Sequence, residues 1–408
     1  MNERLAHRRA HDSNWPTPGA NARRREFGYT RDAPNPRIVE GTLLSSRASA
    51  SALILLVAVA GQSRGGAATE ARPQPPSSPS APLPRAEARH RGVSWVGGQE
   101  IFQKDLEPLV SMNVSWIVQT PFGWQRAHDS PEIRMATEGR VHWGERDVGL
   151  VTTTRMARAL GVKTLLKPHI WLSRSAGGKW SGQIEMATEE DWLKWFASYR
   201  TFILHYARLA QDSGMDALSV GTELQMTVNR QADWRQLISE VRGIYKGPLV
   251  YAANWHQEFE QVKFWDDLDY IGIQAYFPLT DKKDPTVADL KEGWRRHLPA
   301  IEKVQRQFGK PILFTEIGYR SSADAAIEPW VWPESRSATA DDTGLRTQAN
   351  AYQAFFETFW DKEWVIGAYI WKWYPGIEAG GRSLAGDFSP QNKPAERTMA
   401  LWFGGLSR

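Results

Sequence analysis

From Arg91 to near its end the chain repeats one pattern: a short apolar run, a stretch of helical spacing, then another apolar run. The strand-like runs are Gly92–Val96, Val114–Gln119, Lys163–His169, Asp216–Thr222, Leu249–Asn254, Tyr270–Tyr276, Ile312–Thr315 and Ile366–Trp371. Helical periodicity fills Asp147–Leu160, Glu189–Gln211, Asp233–Tyr245, Val287–Phe308 and Thr347–Phe359. In the second of these, Trp192, Trp195, Phe196, Tyr199, Phe202, Ile203 and Tyr206 recur every three or four residues, which lines one helix face. Strands that alternate with helices pair in parallel through crossover helices. Several strands are apolar at consecutive positions, as a sheet covered on both faces requires. Eight such strands predict the α/β class and a closed (β/α)8 TIM barrel over 91–408, which exceeds the about 250 residues that fold needs. No Gly-rich phosphate loop follows the first strand, which counts against a dinucleotide-binding sheet.

The first ninety residues read differently. Residues 1–50 lack apolar periodicity, are rich in Arg, Asn and Pro, and are expected to be a disordered basic arm. The apolar run Ser51–Ala60, SALILLVAVA, follows Arg47 and ends on a small-x-small pattern before Gly61, so 51–61 is expected to act as a secretory signal or anchor. It is too short to span a bilayer comfortably, and the long stretch before it is unusual for a signal. A start further along, an uncleaved anchor and a chance apolar patch therefore stay open. Residues 62–90 have the Pro/Ser-rich composition of a linker. A secreted or periplasmic location is the expectation.

Charge and cysteine content exclude several functions. Residues 1–50 carry nine Lys/Arg against five Asp/Glu and 51–90 four against two, which leaves 37 against 39 for 91–408. The basic excess belongs to the N-terminal arm, so no nucleic-acid partner is expected of the folded part, and no membrane contact beyond the apolar run. The absence of cysteine removes disulfides, thiolate metal sites and cysteine nucleophiles. The nine histidines show no metal-ligand spacing, and there is no H-E-x-x-H and no G-x-S-x-G elbow between a strand and a helix. No metal or organic cofactor is expected.

A barrel collects its functional residues at the carboxyl ends of its strands. There the sequence reads Lys167-Pro168-His169-Ile170-Trp171, Thr222-Glu223, Asn254-Trp255-His256, Gln274-Ala275-Tyr276, Thr315-Glu316 and Trp371-Lys372-Trp373. The strands open on Lys163, Asp216, Asp269 and Pro311, ordinary turn and solvent residues. Any one polar residue at a strand end is unremarkable; six such ends together mark a site. Glu223 and Glu316 each follow a threonine at the end of an apolar run, where an ionised carboxylate is costly unless it is used. Strands four and seven lie across the barrel from each other, so the two carboxyls can converge over its centre. Paired carboxyls suit glycoside hydrolysis, in which one gives a proton to the leaving oxygen and the other attacks the anomeric carbon or activates water. Of 20 tryptophans, 19 lie beyond residue 90, and flat aromatics serve either as sugar platforms or as core.

SVGTEL at 219–224 and LFTEIGY at 313–319 resemble the acid/base and nucleophile strands of the clan A retaining glycoside hydrolases. RGVSW, LLKPHIW, IGIQAYFPL, IWKWYP and DFSPQNKPAE are similar to motifs of family 113 in that clan, known chiefly for endo-β-1,4-mannanases. The resemblance spans roughly Arg91–Gly405. It implies Glu223 as general acid/base, Glu316 as nucleophile, Tyr276 as a donor to the nucleophile and Trp371 as the floor of the reacting subsite. His169, Trp171 and Trp255 would line the cleft, with Trp373 beside them. Thr222 stands where most clan families carry Asn, so the sugar 2-hydroxyl needs another partner, for which Asn254 is a candidate. The expected substrate is a β-1,4-linked poly- or oligosaccharide, most simply a mannan. A glucan, a xylan or an exo-linked sugar stays open, as does a non-catalytic sugar-binding or structural barrel. A sugar-phosphate barrel fits poorly, because strands seven and eight lack a Gly-rich turn. Trp330–Pro333, in the loop after strand seven, is either a sugar-stacking lid or a packing cluster.

Overall fold

The computed structural model describes residues 89–135, 141–173, 178–332, 341–377 and 384–405. The expectations for the basic arm and the apolar run lie outside these residues. So does the linker, apart from its last two positions, of which His90 already opens the first strand.

Eight strands close in sequence order, every neighbouring pair parallel and the last joined to the first. They are β1 His90–Trp95, β2 Trp116–Gln119, β3 Lys163–Leu166, β4 Ala217–Thr222, β5 Leu249–Asn254, β6 Tyr270–Gln274, β7 Ile312–Ile317 and β8 Val365–Trp373. The helices are α1 Glu107–Ser111, α2 Asp147–Ala159, α3 Glu189–Ser213, α4 Gln231–Ile244, α5 Glu258–Gln261, α6 Val287–Phe308, α7 Asp342–Phe359 and α8 Pro394–Phe403. The architecture is the (β/α)8 barrel the alternation predicts.

Local chemistry sets the helix ends. In α6 the Thr286 hydroxyl accepts from the Asp289 amide at 3.2 Å and the Asp289 carboxylate accepts from the Thr286 amide at 3.1 Å. This capping box satisfies two amides that no helical carbonyl can reach. Gly309 then ends the helix at φ +65°, a conformation glycine adopts without steric cost. At α3 the Thr188 hydroxyl accepts from the Asp191 amide at the start and Gly214 ends the helix at φ +66°. The longer α7 begins five residues before its apolar periodicity, because Asp341 caps it by accepting from the Gly344 amide at 2.7 Å.

The third strand is the main departure. It stops at Leu166, since Pro168 has no N–H to offer the ladder. The chain resumes as His169–Leu172, which pairs with Phe122–Gln125, itself paired with Ile133–Met135. This three-stranded sheet lies beyond the ends of β2 and β3 and carries three aromatic residues of the mouth, Phe122, Trp124 and Trp171.

Inward-facing side chains fill the barrel with Trp116, Val118, Leu165, Ala217, Val250, Leu313, Ile366 and Tyr369. Ile117, Leu166 and Leu218 point the other way, into the layer between strands and helices. Gly92 admits the Tyr369 ring, since a Cβ there would stand 2.0 Å from it. No helix among the described residues is long and apolar enough to cross a membrane.

His90 sits buried at the amino end of the barrel, stacked on Trp116 with centroids 3.7 Å apart and its Nδ1 2.8 Å from the Tyr369 hydroxyl. Burial, helped by the Lys163 charge, pushes its imidazole down to about 3. The unfolded chain therefore binds a proton that the fold refuses, and stability present above pH 6.5 drains as pH falls towards 3. The loss amounts to about 4 kcal/mol for a shift of this size. His90→Phe, which keeps the stack on Trp116, should flatten the dependence of the urea midpoint on pH between 6.5 and 3.5. An unchanged slope would mean that other groups carry the acid sensitivity.

Candidate active site

Both glutamate strands carry one residue more than a neighbour. Along β4 and β5, Ser219 faces Val250 but Thr222 faces Ala252; along β7 and β6, Phe314 faces Ile273 but Glu316 faces Gln274. An inserted residue bends a strand and re-aims the side chain that follows it. Glu223 leaves β4 at φ +50° with its amide still donating to the Ala252 carbonyl at 2.9 Å. For a residue with a Cβ that conformation costs on the order of 1 kcal/mol or more and is met chiefly where function requires it.

Glu316 is 4% exposed. One carboxylate oxygen accepts from the Tyr276 hydroxyl at 2.7 Å and the other is paired with the Lys167 ammonium. Lys167 is fully buried, and its remaining donors reach Gln274 Oε1 at 2.9 Å and the Thr315 carbonyl at 3.4 Å. Every proton of the ammonium thus has an acceptor, the condition for holding a charge away from water.

Glu223 is half-buried and has no such cation. Its Oε1 accepts from Asn254 Nδ2 at 2.7 Å. Burial first, then the charge of Glu316, pushes its carboxyl up to about 7, against the opposing pull of Asn254, Gln274 and Lys167. Asn254 is itself fixed: its Oδ1 accepts from the His256 amide at 2.8 Å and its amide donates to Glu258 at 2.7 Å. The other oxygen of the fully buried Glu258 accepts from the Tyr251 hydroxyl at 2.5 Å. Burial pushes Glu258 up to about 8.

Direct hydrogen bonds join Glu316 to Tyr276 and Glu223 to Asn254, and the charge of Glu316 acts on Glu223. Trp371 joins them through Lys167, whose ammonium lies 5.9 Å from its ring centre. His169 packs against Phe122, and burial followed by the Lys167 charge holds its imidazole well below the usual range. Its Nε2 has no hydrogen-bond partner among the described residues. Trp171 is 53% exposed beside Phe122 and Trp124. Trp255 stacks on Trp330 at 5.2 Å, so Trp330 belongs to a packing cluster; Pro333 lies outside the described residues. Trp373 departs from the expectation. It is 2% exposed within the main apolar core, so it offers no ring face to a substrate. Thr222 donates its hydroxyl to the Pro168 carbonyl at 3.2 Å.

Sequence reasoning placed Lys167 and Gln274 among the strand ends that mark the site but gave them no role, and it missed Glu258. Lys167 had a signal, an ionisable residue closing the apolar run Thr164-Leu165-Leu166. Glu258 had none, since it opens a four-residue helix like any surface glutamate.

The raised Glu223 carboxyl has a thermodynamic consequence. The fold binds its proton more tightly than the unfolded chain does, so stability is lost as pH rises from 4.5 through about 7. At pH 8 this amounts to about 3 kcal/mol. Glu223→Gln should raise stability at pH 8 by about 2–3 kcal/mol and leave it nearly unchanged at pH 4.5, as read by urea unfolding. Equal effects at the two pH values would contradict this environment for Glu223.

The sequence profile of Glycoside Hydrolase Family 113 matches residues 94–382. Among solved structures, the family 113 β-mannanase of Alicyclobacillus acidocaldarius is 27% identical over 78% of this chain and 98% of its own, with a TM-score of 0.67. A further family 113 β-1,4-mannanase is 28% identical over 78% of this chain and 99% of its own, with a TM-score of 0.65. An endo-1,4-β-D-mannanase of Thermotoga petrophila, 13% identical over 78% and 99% of the two chains with a TM-score of 0.51, shares the fold. No curated protein matches the chain. The profile spans both glutamates and seven of the eight strands in full, and the chain belongs to glycoside hydrolase family 113.

Proposed function

We propose that this glycoside hydrolase is a retaining endo-β-1,4-mannanase in which Glu316 is the nucleophile and Glu223 the general acid/base. The observation that carries the roles is the unequal surroundings of the two carboxyls. Glu316 has a buried ammonium and a phenol as partners, whereas Glu223 has the neutral side-chain amides of Asn254 and Gln274 and a carboxyl raised to about 7. Two carboxyls whose environments pull them apart divide naturally into base and acid. The mannan assignment is supported by the family 113 mannanases at 27–28% identity.

In the first step a Glu316 oxygen forms a bond to the anomeric carbon while the glycosidic C–O bond breaks. The leaving oxygen takes the proton of Glu223. Esterification removes the negative charge of Glu316, one of the two causes that hold Glu223 protonated. Lys167 keeps its charge, which acts in the opposite sense. The lost charge and the retained one both favour ionised Glu223, which then takes a proton from water as that water attacks the anomeric carbon and Glu316 departs as carboxylate. His169 Nε2 and the face of Trp371 are suited to holding the reacting sugar.

Two measurements test this reading. Wild type, Glu223→Ala and Glu316→Ala are assayed on β-1,4-mannan, cellulose and xylan oligosaccharides with and without azide. The expected outcome is cleavage of mannan alone, a loss of at least about 10³-fold in each variant, and azide rescue with opposite anomeric products at the two sites. Cleavage of glucan or xylan instead would replace the substrate and leave the roles standing; an inactive wild type would overturn the enzymatic reading. The second measurement is a carboxyl titration of Glu223 in Glu316→Gln, which imitates the uncharged ester. Glu223 should titrate below about 7, because the Glu316 charge is one cause of its present position. A titration unmoved by the substitution would remove the basis for the acid-to-base switch.

A further inference from the structure

The 19 tryptophans beyond residue 90 divide sharply by exposure. Two are more than a third exposed, Trp171 at 53% and Trp332 at 56%. Trp171 follows β3 and Trp332 follows β7, strands four positions apart in a closed barrel of eight and therefore opposite one another. Leaving an indole in water forgoes roughly 2–3 kcal/mol of burial, and the chain does so here only at the mouth of its site.

Trp332 is also fixed in place. Its ring meets Trp371 edge-on at 6.4 Å and 89°, and Phe388 at 5.4 Å and 67°. The Lys372 ammonium lies 4.6 Å from its ring centre, and the same ammonium sits 5.0 Å from Tyr374 and 5.7 Å from Trp371. Lys372 is 6% exposed, so this cation is largely withdrawn from water and holds the indoles more firmly than a surface lysine would. The loop after β7 is thereby tied to β8 through a ring that remains more than half open. Trp330, two residues earlier, is spent on Trp255. The two tryptophans of WVWP do different work.

We propose that Trp332 is a preassembled stacking platform for a sugar ring of the bound polysaccharide next to the one over Trp371, a subsite distinct from the reacting one. The occupant is a pyranose of a β-1,4-linked chain, whose axial C1–H, C3–H and C5–H bonds share one face and match the electron-rich face of an indole. A ring already held by Trp371, Phe388 and Lys372 loses little freedom on binding, so most of the stacking energy appears as affinity. The inference rests on the proposed polysaccharide hydrolysis.

Its mark is dependence on chain length. Wild type, Trp332→Ala and Trp332→Phe are assayed for kcat/KM on β-1,4-linked oligosaccharides of two to six units of whichever sugar the wild type cleaves. Trp332→Ala should lose about tenfold on the six-unit chain, equivalent to about 1.4 kcal/mol, and progressively less as the chain shortens. Trp332→Phe, which keeps a flat ring, should recover most of the loss. A loss of the same fraction at every length would indicate a purely structural part and overturn the inference, as would no loss at all. If the wild type cleaves none of these sugars, binding of the same series to wild type and Trp332→Ala by calorimetry decides. A length-dependent weakening in the variant upholds the platform without the activity, and an absence of binding by the wild type overturns both.

Discussion

A lysine and a glutamate removed almost wholly from water, Lys167 and Glu316, are the interaction on which the site depends. Taking two such ions out of solvent costs several kcal/mol each, recovered only if every proton and lone pair is met. Gln274, the Thr315 carbonyl and Tyr276 complete that set. Once the pair exists, one negative charge is fixed at the carboxyl end of β7, and a second carboxyl nearby becomes costly to ionise. Glu223 is that second carboxyl. Its protonation near neutral pH follows from its burial and from the charge opposite it, with no special property of its own. Loss of one ion of the pair would leave the other buried and alone, a penalty of about 3–5 kcal/mol, so the same contact that sets the chemistry also anchors β3 to β7 through the barrel.

Positioning is achieved by departures from regularity. A perfect ladder would leave alternate residues pointing inward at fixed heights, with no means of raising one carboxyl against another. The extra residue in β4 and in β7, and the left-handed backbone at Glu223, supply that means. Behind Glu223, the buried Glu258 fixes the Asn254 main chain and the Tyr251 hydroxyl, and Asn254 in turn fixes Glu223. Strain and a buried carboxyl both reduce stability, and the well-filled interior from Trp116 to Tyr369 offsets them.

The barrel was legible in the sequence because its signals are local: apolar runs of strand length, helical spacing, and capping residues such as Thr286 and Gly309. Glu223 and Glu316 were legible because a carboxylate closing an apolar run conflicts with burial. What was not legible depends on partners far apart in the chain. Lys167 is 149 residues from Glu316, and nothing beside it says that it meets a carboxylate and not solvent. Pro168 carried the information that β3 ends early, yet the pairing of His169–Leu172 with Phe122–Gln125 is a tertiary fact. Trp373 failed for a simpler reason. It lies two residues beyond Trp371 on the same strand and reads alike in the sequence; only the packing around it shows that its ring is covered by the core.

That last distinction explains why a high tryptophan content is ambiguous evidence of sugar binding. Trp195, Trp234, Trp265, Trp294 and Trp373 are fully buried, and Trp234 of α4 meets Tyr251 of β5 edge-on while stacking on Phe264. A side chain that large fills the wide gap between a barrel and its helices better than an aliphatic one, which is reason enough for its abundance. Sugar recognition needs few rings, but it needs them open on one face and immobile on the other. Immobility at an exposed position cannot come from burial, so it must come from directional contacts. The Lys372 ammonium among Trp332, Trp371 and Tyr374 is a contact of that kind. The functional signal therefore lies in the pairing of an exposed aromatic ring with a buried cation, which composition alone does not reveal.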